Sequence, residues 1–242
     1  MRNYAEEFEN RTDFIRELVK STGAKGIIYG NSGGKDSALV GILCKSACPN
    51  TCGVILPCSS SRNYGEDADD AVAVAQQYGI ETRTVDLSGP RNAVITALGG
   101  EDALNPAALT NIAPRLRMLT LYAIAANENR LVAGTGNRSE AYVGYFTKWG
   151  DGAHDFNPIS DLTVTEVYEF LRFLKAPERI LTKAPSAALF DGQTDEGEMG
   201  VSYAELDAYI RGETLEPDKE NRIIALHKAS EHKRSGIISY TK

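Results

Sequence analysis

A short apolar run leads into a glycine-rich turn and then into a helix-forming sequence at residues 26–37. The apolar residues 27–29 predict a buried strand, and Gly33 and Gly34 allow the backbone to come close to a ligand. We expect a helix over residues 38–45, whose unpaired N–H groups and dipole attract anions. The pattern predicts a phosphate-binding loop, although a tight glycine turn between a strand and a helix is the simpler alternative.

The carboxylate of Asp36 distinguishes this loop from a Walker loop, which has four residues between its first glycine and a Gly-Lys-Ser/Thr ending. Here three residues separate Gly30 from Gly34, and Asp36 stands before Ser37 where a hydroxyl would be. A carboxylate inside a phosphate loop repels the ligand unless a divalent cation lies between them. The sequence therefore predicts a polyphosphate bridged by magnesium, with Asp36 as one ligand of the ion.

Length and charge indicate a soluble α/β protein. The chain has 242 residues, which suits one domain over residues 1–242, because open sheets covered by helices often reach about 200 to 250 residues. With 26 Lys plus Arg and 33 Asp plus Glu, the formal charge of -7 gives no general attraction to nucleic acid or to membranes. Residues 1–10 lack the apolar core of a signal peptide, and we expect a cytoplasmic location without a membrane span.

Strand and helix patterns alternate along the first half of the chain. Besides residues 27–29, strands are predicted at residues 51–57, 81–87 and 130–134. Helices are predicted at residues 2–20, 38–45, 66–78, 111–129, 163–174, 203–211 and 218–230. This alternation predicts an open parallel sheet with helices on both faces and a ligand crevice at the carboxyl ends of the strands. Residues 145–161 read as a ligand-binding loop, and residues 183–200 as a mobile flap.

The cysteines are clustered at Cys44, Cys48, Cys52 and Cys58. Zinc and iron-sulfur sites typically use closer Cys-x-x-Cys pairs, and free cysteine is among the residue types most often buried. We therefore expect small buried residues, with a metal site as the alternative. A cytoplasmic setting disfavours structural disulfides.

A second carboxylate and several basic residues complete the parts of an adenylating site, which must align a carboxylate with the α-phosphate of ATP and neutralise charge. Glu140 follows the strand at residues 130–134, and we assign it to magnesium beside Asp36, although a solvated loop acid is the simpler interpretation. Arg115 and Arg117, early on a predicted helix, each read as a surface charge when taken singly.

Seven segments match, in order, those of a known family. They are residues 30–37, 134–140, 144–152, 157–159, 183–187, 195–203 and 231–234. Over nearly its full length the chain resembles the ammonia-dependent NAD synthetases of the N-type ATP pyrophosphatase superfamily. The first segment is shared by many ATP pyrophosphatases, whereas residues 144–152 and 231–234 look specific to this family. The resemblance implies a Rossmann-like fold of the adenine nucleotide alpha hydrolase type. It also implies amidation of deamido-NAD through an adenylate, giving NAD, AMP and pyrophosphate.

The resemblance also implies which residues form the site. Those expected to bind ATP are Gly30, Asn31, Ser32, Gly33, Gly34, Lys35, Asp36, Ser37, Thr135 and Ser186. Those expected to bind deamido-NAD are Arg115, Lys148, Asp155, His232 and Lys233. Asp36 and Glu140 are the implied Mg²⁺ ligands. The family further implies a homodimer in which the dinucleotide lies across the subunit interface.

Ammonia chemistry adds one catalytic candidate. Ammonia at neutral pH is mostly ammonium, so the site should bind the cation and remove a proton before attack. Asp151, in a Gly-Asp-Gly turn where a small ligand can come close, is the predicted base and acts beside Asp36. Free ammonia or a separate donor protein is the expected nitrogen source.

Val164 departs from the family pattern. Many members carry a Lys there that contacts the triphosphate, and Val supplies neither charge nor a hydrogen bond. Lys35 and Lys183 are the candidates to replace it. The departure leaves open a non-catalytic nucleotide sensor on the same fold. The cysteines leave open another ATP pyrophosphatase, one that thiolates RNA or makes a deazaguanine nitrile.

Overall fold

Four parallel strands form the sheet of the computed structural model, which describes residues 2–58, 60–183, 194–237 and 239–240. In chain order they are β1 (Gly26–Gly30), β2 (Thr51–Ile55), β3 (Glu81–Thr84) and β4 (Arg130–Ala133). The order across the sheet is β3-β2-β1-β4, with Ile28 opposite Cys52 on one side and Val132 on the other. This open parallel sheet confirms the predicted α/β fold class.

Helices connect and cover the strands. In chain order they are α1 (Tyr4–Thr22), α2 (Lys35–Ala47), α3 (Ser61–Tyr64), α4 (Glu66–Tyr78), α5 (Ser88–Ala97), α6 (Pro106–Glu128), α7 (Arg138–Val143), α8 (Val164–Phe173), α9 (Glu178–Thr182), α10 (Asp195–Met199), α11 (Tyr203–Ile210), α12 (Pro217–Ala229) and α13 (Glu231–Arg234). Across the described ranges, no helix combines the length and the apolar character needed to span a bilayer.

Alternation along β1 divides the core between the two faces of the sheet. Ile27 and Tyr29 lie in a cluster with residues of α1, α2 and α8, whereas Ile28 between them packs in a second cluster with residues of α6. Successive strand residues point to opposite faces, so a fully apolar strand needs helices on both. The backbone at the end of β1 is therefore fixed from both sides.

The cysteines belong to these two clusters. Cys44 and Cys48 pack with the first, and Cys52 and Cys58 with the second, so the predicted burial is confirmed. Burial raises the pKa of Cys52 to about 11 and that of Cys44 further still, which keeps the thiols protonated. Among the described residues, no three His, Cys, Asp or Glu side chains converge in a way that could hold a metal.

Two boundaries differ from the predictions for local reasons. Helix α6 begins at Pro106 rather than at residue 111, because Asn105 accepts a hydrogen bond from Ala108 N at 2.8 Å and proline fits the first turn. The strand predicted over residues 81–87 is shorter, although Leu87 N still donates to Pro57 O beside β2. Helix α5 was not predicted, because its Ser-Gly-Pro start reads as a turn.

The predicted flap over residues 183–200 is only partly visible. Residues 184–193, which include Ser186, lie outside the described residues. Residues 195–199 form the short helix α10, which the sequence analysis did not predict. Three acids in its first turn, Asp195, Glu196 and Glu198, give the helix favourable charge at its positive end.

Candidate functional site

The loop after β1 is held on both sides by backbone and side-chain contacts. Asn31 N donates to Val54 O of β2 at 2.8 Å, and Asn31 Nδ2 donates to Ala71 O of α4 at 3.1 Å. Gly33 has a φ of 72°, and a Cβ atom there would lie 2.1 Å from Asp67 O. Only glycine fits at this point, so α4 presses the loop into its shape.

Helix α2 starts in this loop, three residues earlier than predicted, and no side chain caps its N-terminus. Ser37 Oγ donates to Gly34 O at 3.0 Å and lies 3.1 Å from Ser32 Oγ, which ties the first turn to the loop. The first-turn N–H groups and the positive end of the helix dipole are therefore available to an anionic ligand. This is the geometry that the sequence predicted for phosphate.

Two carboxylates meet around a single ammonium group next to this helix. Lys35 Nζ lies 2.7 Å from Asp36 Oδ2 and 3.6 Å from Glu140 Oε1. Asn137 Nδ2 donates to Asp36 Oδ1 at 3.0 Å, which fixes the second oxygen of that acid. The side chains of Asp36 and Glu140 are only 15% and 17% exposed. Asp36 on α2 and Glu140 on α7, which are 104 positions apart in the chain, thus converge on one position.

This position fits a hard divalent cation. Both acids already reach one cation, the Lys35 ammonium, and oxygen ligands are what Mg²⁺ prefers. Burial, with the Asp36 charge in second place, raises the pKa of Glu140 to about 8 even though Lys35 opposes the shift. One monovalent cation therefore leaves the two acids short of positive charge. Since Mg²⁺ commonly binds one or two carboxylates and takes its other ligands from phosphate and water, the pair is sufficient.

Glu140 also builds the helix that presents it. Its backbone N donates to Asn137 Oδ1 at 3.0 Å, and its Oε2 accepts from Asn137 N at 3.3 Å, which together form a capping box at the start of α7. The backbone turns from β4 into α7 through Thr135. The short helix was not predicted, but its capping pattern stands in the sequence as Asn-Arg-Ser-Glu.

Asp151 lies on a loop that closes the opposite side. Its Oδ1 accepts from Thr147 N at 3.0 Å, and Thr147 Oγ1 donates to Asn111 Oδ1 of α6 at 2.6 Å. The residue is open to the cavity, but the protein around its carboxylate removes water and raises its pKa. The hydrogen bond from Thr147 and the charges of Arg117 and Lys233 oppose that shift.

These elements enclose a cavity of about 420 Å³ at the carboxyl ends of the strands. Among the predicted residues, those that line it are Gly30, Asn31, Ser32, Gly34, Lys35, Asp36, Ser37, Thr135, Glu140, Asp151 and Lys233. Gly33 instead packs against α4. The structure therefore brings the predicted phosphate loop, both predicted metal ligands and the predicted base into one cavity.

The residues predicted for the dinucleotide are distributed differently. Only Lys233 lines the cavity, and its ammonium donates to Gly144 O and Phe146 O, each at 2.7 Å. Arg115, Lys148, Asp155 and His232 lie outside the cavity wall. Lys148 Nζ donates to His232 O, and Arg115 Nη2 to Lys148 O at 3.5 Å, so three of them form one group near the cavity. Asp155 instead accepts from Val132 N at 2.8 Å along the edge of β4.

Arg117 is a cavity residue that the sequence analysis read as a surface charge. Its Nε donates to Leu56 O and its Nη2 to Asn63 Oδ1, both at 3.0 Å, and burial lowers its pKa. Within the described ranges, no carboxylate lies within 4 Å of its guanidinium. A partly buried cation without an ion pair is typical of a site that receives an anion. The sequence did contain a signal in the spacing of Arg115 and Arg117, because residues two apart on a helix face different directions. In the structure Arg115 is the one that points outward.

The side chain of Val164 lies in apolar surroundings. Val164 is 3% exposed and packs with Val143 and Met199. Lys183, one candidate replacement, also lines the cavity, but its ammonium is paired with two acids, since Nζ lies 2.7 Å from Asp67 Oδ1 and 2.6 Å from Asp70 Oδ2. Lys35 is the candidate whose ammonium reaches the acids of the phosphate loop.

Comparison with known proteins gives consistent matches along the chain. A family model described as NAD synthase matches residues 7–236. The NH(3)-dependent NAD(+) synthetase of Carboxydothermus hydrogenoformans is 45% identical over 235 residues, covering 96% of each chain. The enzyme of the same name from Archaeoglobus fulgidus is 42% identical over 238 residues, covering 96% of this chain and 95% of its own.

Solved structures give the same result in three dimensions. The NMN synthetase from Francisella tularensis superposes with a TM-score of 0.93 at 35% identity, with both chains fully covered. The NH3-dependent NAD synthetase from Campylobacter jejuni superposes with a TM-score of 0.84 at 28% identity, again with both chains fully covered. The sheet, the phosphate loop and the C-terminal helices therefore belong to one arrangement that these proteins share.

Proposed function

The chain belongs to the NAD synthase family, and we propose that it carries out the family reaction in the cavity at the carboxyl ends of β1 and β4. The reaction is the ATP-dependent amidation of deamido-NAD by ammonia. A carboxylate oxygen of deamido-NAD attacks the α-phosphorus of ATP and expels pyrophosphate. Ammonia then adds to the acyl carbon, and AMP leaves with that oxygen, so the adenylate supplies the leaving group that a carboxylate lacks.

The convergence of Asp36 and Glu140 at the start of α2 is the observation that carries this proposal. Residues 30–37 would hold the phosphates of ATP with backbone N–H groups, and Thr135 lies on the same cavity wall. Asp36 and Glu140 would hold Mg²⁺, which neutralises charge on the phosphates and stabilises the departing pyrophosphate. Ser186, outside the described residues, is proposed as a further ATP contact.

Asp151 is proposed to receive the proton that ammonium loses. A carboxylate with a raised pKa is a better base than an ordinary one, and the residue opens to the cavity. Arg117 and Lys233 flank it with positive charge, which would hold an anionic substrate group nearby. In this proposal, phosphate, the acyl group and ammonia would bind at separate places in the cavity.

The dinucleotide would extend from the cavity toward the group formed by Arg115, Lys148 and His232, and toward Asp155. These residues lie outside the cavity wall, so the far end of deamido-NAD would rest on the surface unless something covers it. Leu119, one turn after Arg115 on α6, is 60% exposed, and Trp149 is 53% exposed. These features support a homodimer in which a second copy covers the dinucleotide. We also propose that the enzyme is cytoplasmic.

A second candidate product is NMN. The neighbour named NMN synthetase superposes over both full chains with a TM-score of 0.93. Its likeness supports nicotinate mononucleotide as an alternative carboxylate substrate for the same cavity. The two candidates share the phosphate loop and differ in whether the distal adenylyl half contributes to binding.

Pyrophosphate release with ATP, an ammonium salt, Mg²⁺ and either carboxylate substrate tests both readings. We expect release that requires every component, with NAD formed in equal amount from deamido-NAD. A specificity constant higher for nicotinate mononucleotide would select the second candidate. Release that continues unchanged without either carboxylate, or no amide product from either, would refute the proposed ligase activity. Asp36→Asn provides the inactive control.

A further inference from the structure

The ammonium of Lys35 occupies the space that the proposed magnesium ion would need. It lies 2.7 Å from Asp36 Oδ2 and 3.6 Å from Glu140 Oε1, and the residue is 7% exposed. Its Nζ also lies 5.3 Å from the centre of the Tyr203 ring. The side chain is therefore buried at the acids and does not extend freely into the cavity.

The arrangement is stable because each buried charge has a partner. A lysine ammonium is costly to bury alone, and two carboxylates repel when they face each other without a cation. Lys35 between Asp36 and Glu140 offsets part of both costs, and Asn137 Nδ2 at 3.0 Å holds Asp36 in place. The acids can thus stay together before any metal arrives.

The same contacts are incompatible with a divalent ion between the acids. Mg²⁺ binds oxygen at about 2.0–2.1 Å. An ion that reached both Asp36 Oδ2 and Glu140 Oε1 would therefore lie against the Lys35 ammonium, where like charges repel strongly in a site with little water. One of the two cations has to leave.

We infer that Lys35 is a resident counter-ion of the metal site, which holds Asp36 and Glu140 together and is displaced when the divalent ion binds. This inference rests on the proposed function, because it takes these two acids as the metal ligands. It deepens that proposal by giving Lys35 a position in each state.

The displaced ammonium has a use in the cavity. Lys35 lies on the first turn of α2 and lines the same wall as the phosphate loop, so a released side chain reaches the region proposed for the triphosphate. Val164 brings no charge there, and Lys183 is held by Asp67 and Asp70. Metal binding would therefore exchange a Lys35 contact with carboxylates for one with phosphate.

Mn²⁺ titration of the nucleotide-free protein, followed by calorimetry or electron paramagnetic resonance, tests the displacement. Lys35→Met removes the competing charge and should bind Mn²⁺ about tenfold more tightly than the unmodified protein. Lys183→Met is the matched control, since it also removes a buried, paired ammonium beside the phosphate loop. It should change the Mn²⁺ affinity by less than about twofold. Equal or weaker Mn²⁺ binding by Lys35→Met would overturn the inference.

Asp36→Asn separates this inference from the proposed function on which it rests. If Asp36→Asn binds Mn²⁺ as well as the unmodified protein, the metal site itself is wrongly assigned. If Asp36→Asn loses Mn²⁺ while Lys35→Met gains nothing, the metal site stands and only the counter-ion role is refuted.

A measurement on the unmodified protein covers the case in which Lys35→Met does not fold. With lysine labelled with ¹³C at Cε, the Lys35 signal is identified by its absence from Lys35→Arg. Saturating Mg²⁺ without nucleotide should shift this signal and leave that of Lys183 in place. An unshifted Lys35 signal would contradict displacement.

Discussion

Two groups of charged side chains in this protein pair carboxylates with basic residues, with opposite results. At the phosphate loop, Asp36 and Glu140 share the single cation Lys35 in a nearly closed site. Beside the N-terminal helix α1, Asp161 forms salt bridges with Arg2 and Arg11. Arg11 Nη1 and Nη2 lie 2.7 Å and 2.8 Å from its two oxygens, and Arg2 Nη1 lies 2.9 Å away. We call the second group, Arg2, Glu7, Arg11, Asp161 and Glu166, the N-terminal latch.

The difference lies in the balance of charge and the access of water. Burial raises the pKa of Glu140 to about 8, because one ammonium cannot compensate two enclosed acids. In the latch, burial opposes ionisation of Asp161, but the hydrogen bond and charge of Arg11 and the charge of Arg2 lower its pKa overall. A latch with satisfied acids stabilises α1 against the start of α8, whereas a site short of positive charge favours a cation of higher charge.

Aspartate-to-asparagine changes in the two groups should give the largest contrast. Asp36→Asn keeps the shape but removes a charge proposed to hold magnesium, so we expect turnover to fall by about a thousandfold. Asp161→Asn should leave kcat and KM within about twofold, because the latch does not line the cavity. Steady-state pyrophosphate release measures both. Comparable losses of turnover in the two variants would remove the distinction between the groups.

The next largest effect should be on stability, from a change where the phosphate loop packs against the backbone of α4. Gly33→Ala places a methyl group 2.1 Å from Asp67 O at a φ of 72°, so we expect a loss of at least about 3 kcal/mol in the free energy of unfolding. Gly79→Ala, at the other end of α4, is the matched control, because Gly79 has a φ of 64° but open space around it. That change should cost about 1 kcal/mol. Urea unfolding compares them, and equal costs would show that α4 does not press on the loop.

Arg117 should have a smaller effect that concerns binding. Arg117→Met removes a partly buried cation without an ion pair, and we expect the KM for an anionic substrate to rise about tenfold with a smaller change in kcat. Arg117→Lys should restore part of the loss, since it returns charge without the planar donor fork. Arg16→Met, at an exposed arginine on α1, is the control and should change neither constant. A lower melting temperature with unchanged KM would give Arg117 a structural role only.

Local patterns in the sequence account for the parts of the molecule that were predicted well. The apolar run of β1 followed by small residues predicted the phosphate loop, and the alternation of strands and helices predicted the parallel sheet. Both patterns are strong because a parallel sheet is buried on both faces, which requires apolar strands and helices to cover them. The start of α2 at Lys35 was missed, since its cap is backbone and not a side chain. The partners of Lys35 and Lys183 were not predictable, because they depend on contacts between distant segments. For the same reason, the sequence did not show which of Arg115 and Arg117 lines the cavity, because their spacing indicated only that the two side chains face different directions.

The smallest predicted effect is the contribution of Asp161 to stability as the pH is lowered. The ordinary pKa of Asp161 is 3.8, and its pKa in the folded protein is lower, so its ion pairs stabilise the fold above pH 3.8 and are lost as the pH falls through the folded value. The side chain is 50% exposed, and solvent screening limits the contribution to about 0.5 kcal/mol. Asp161→Asn should therefore lower stability slightly at pH 7 and remove part of the decline below pH 4. Urea unfolding of the variant and the unmodified protein at several pH values measures this. If the stability of Asp161→Asn declined below pH 4 as much as that of the unmodified protein, the charged form of Asp161 would be no better stabilised in the folded protein than in the unfolded chain.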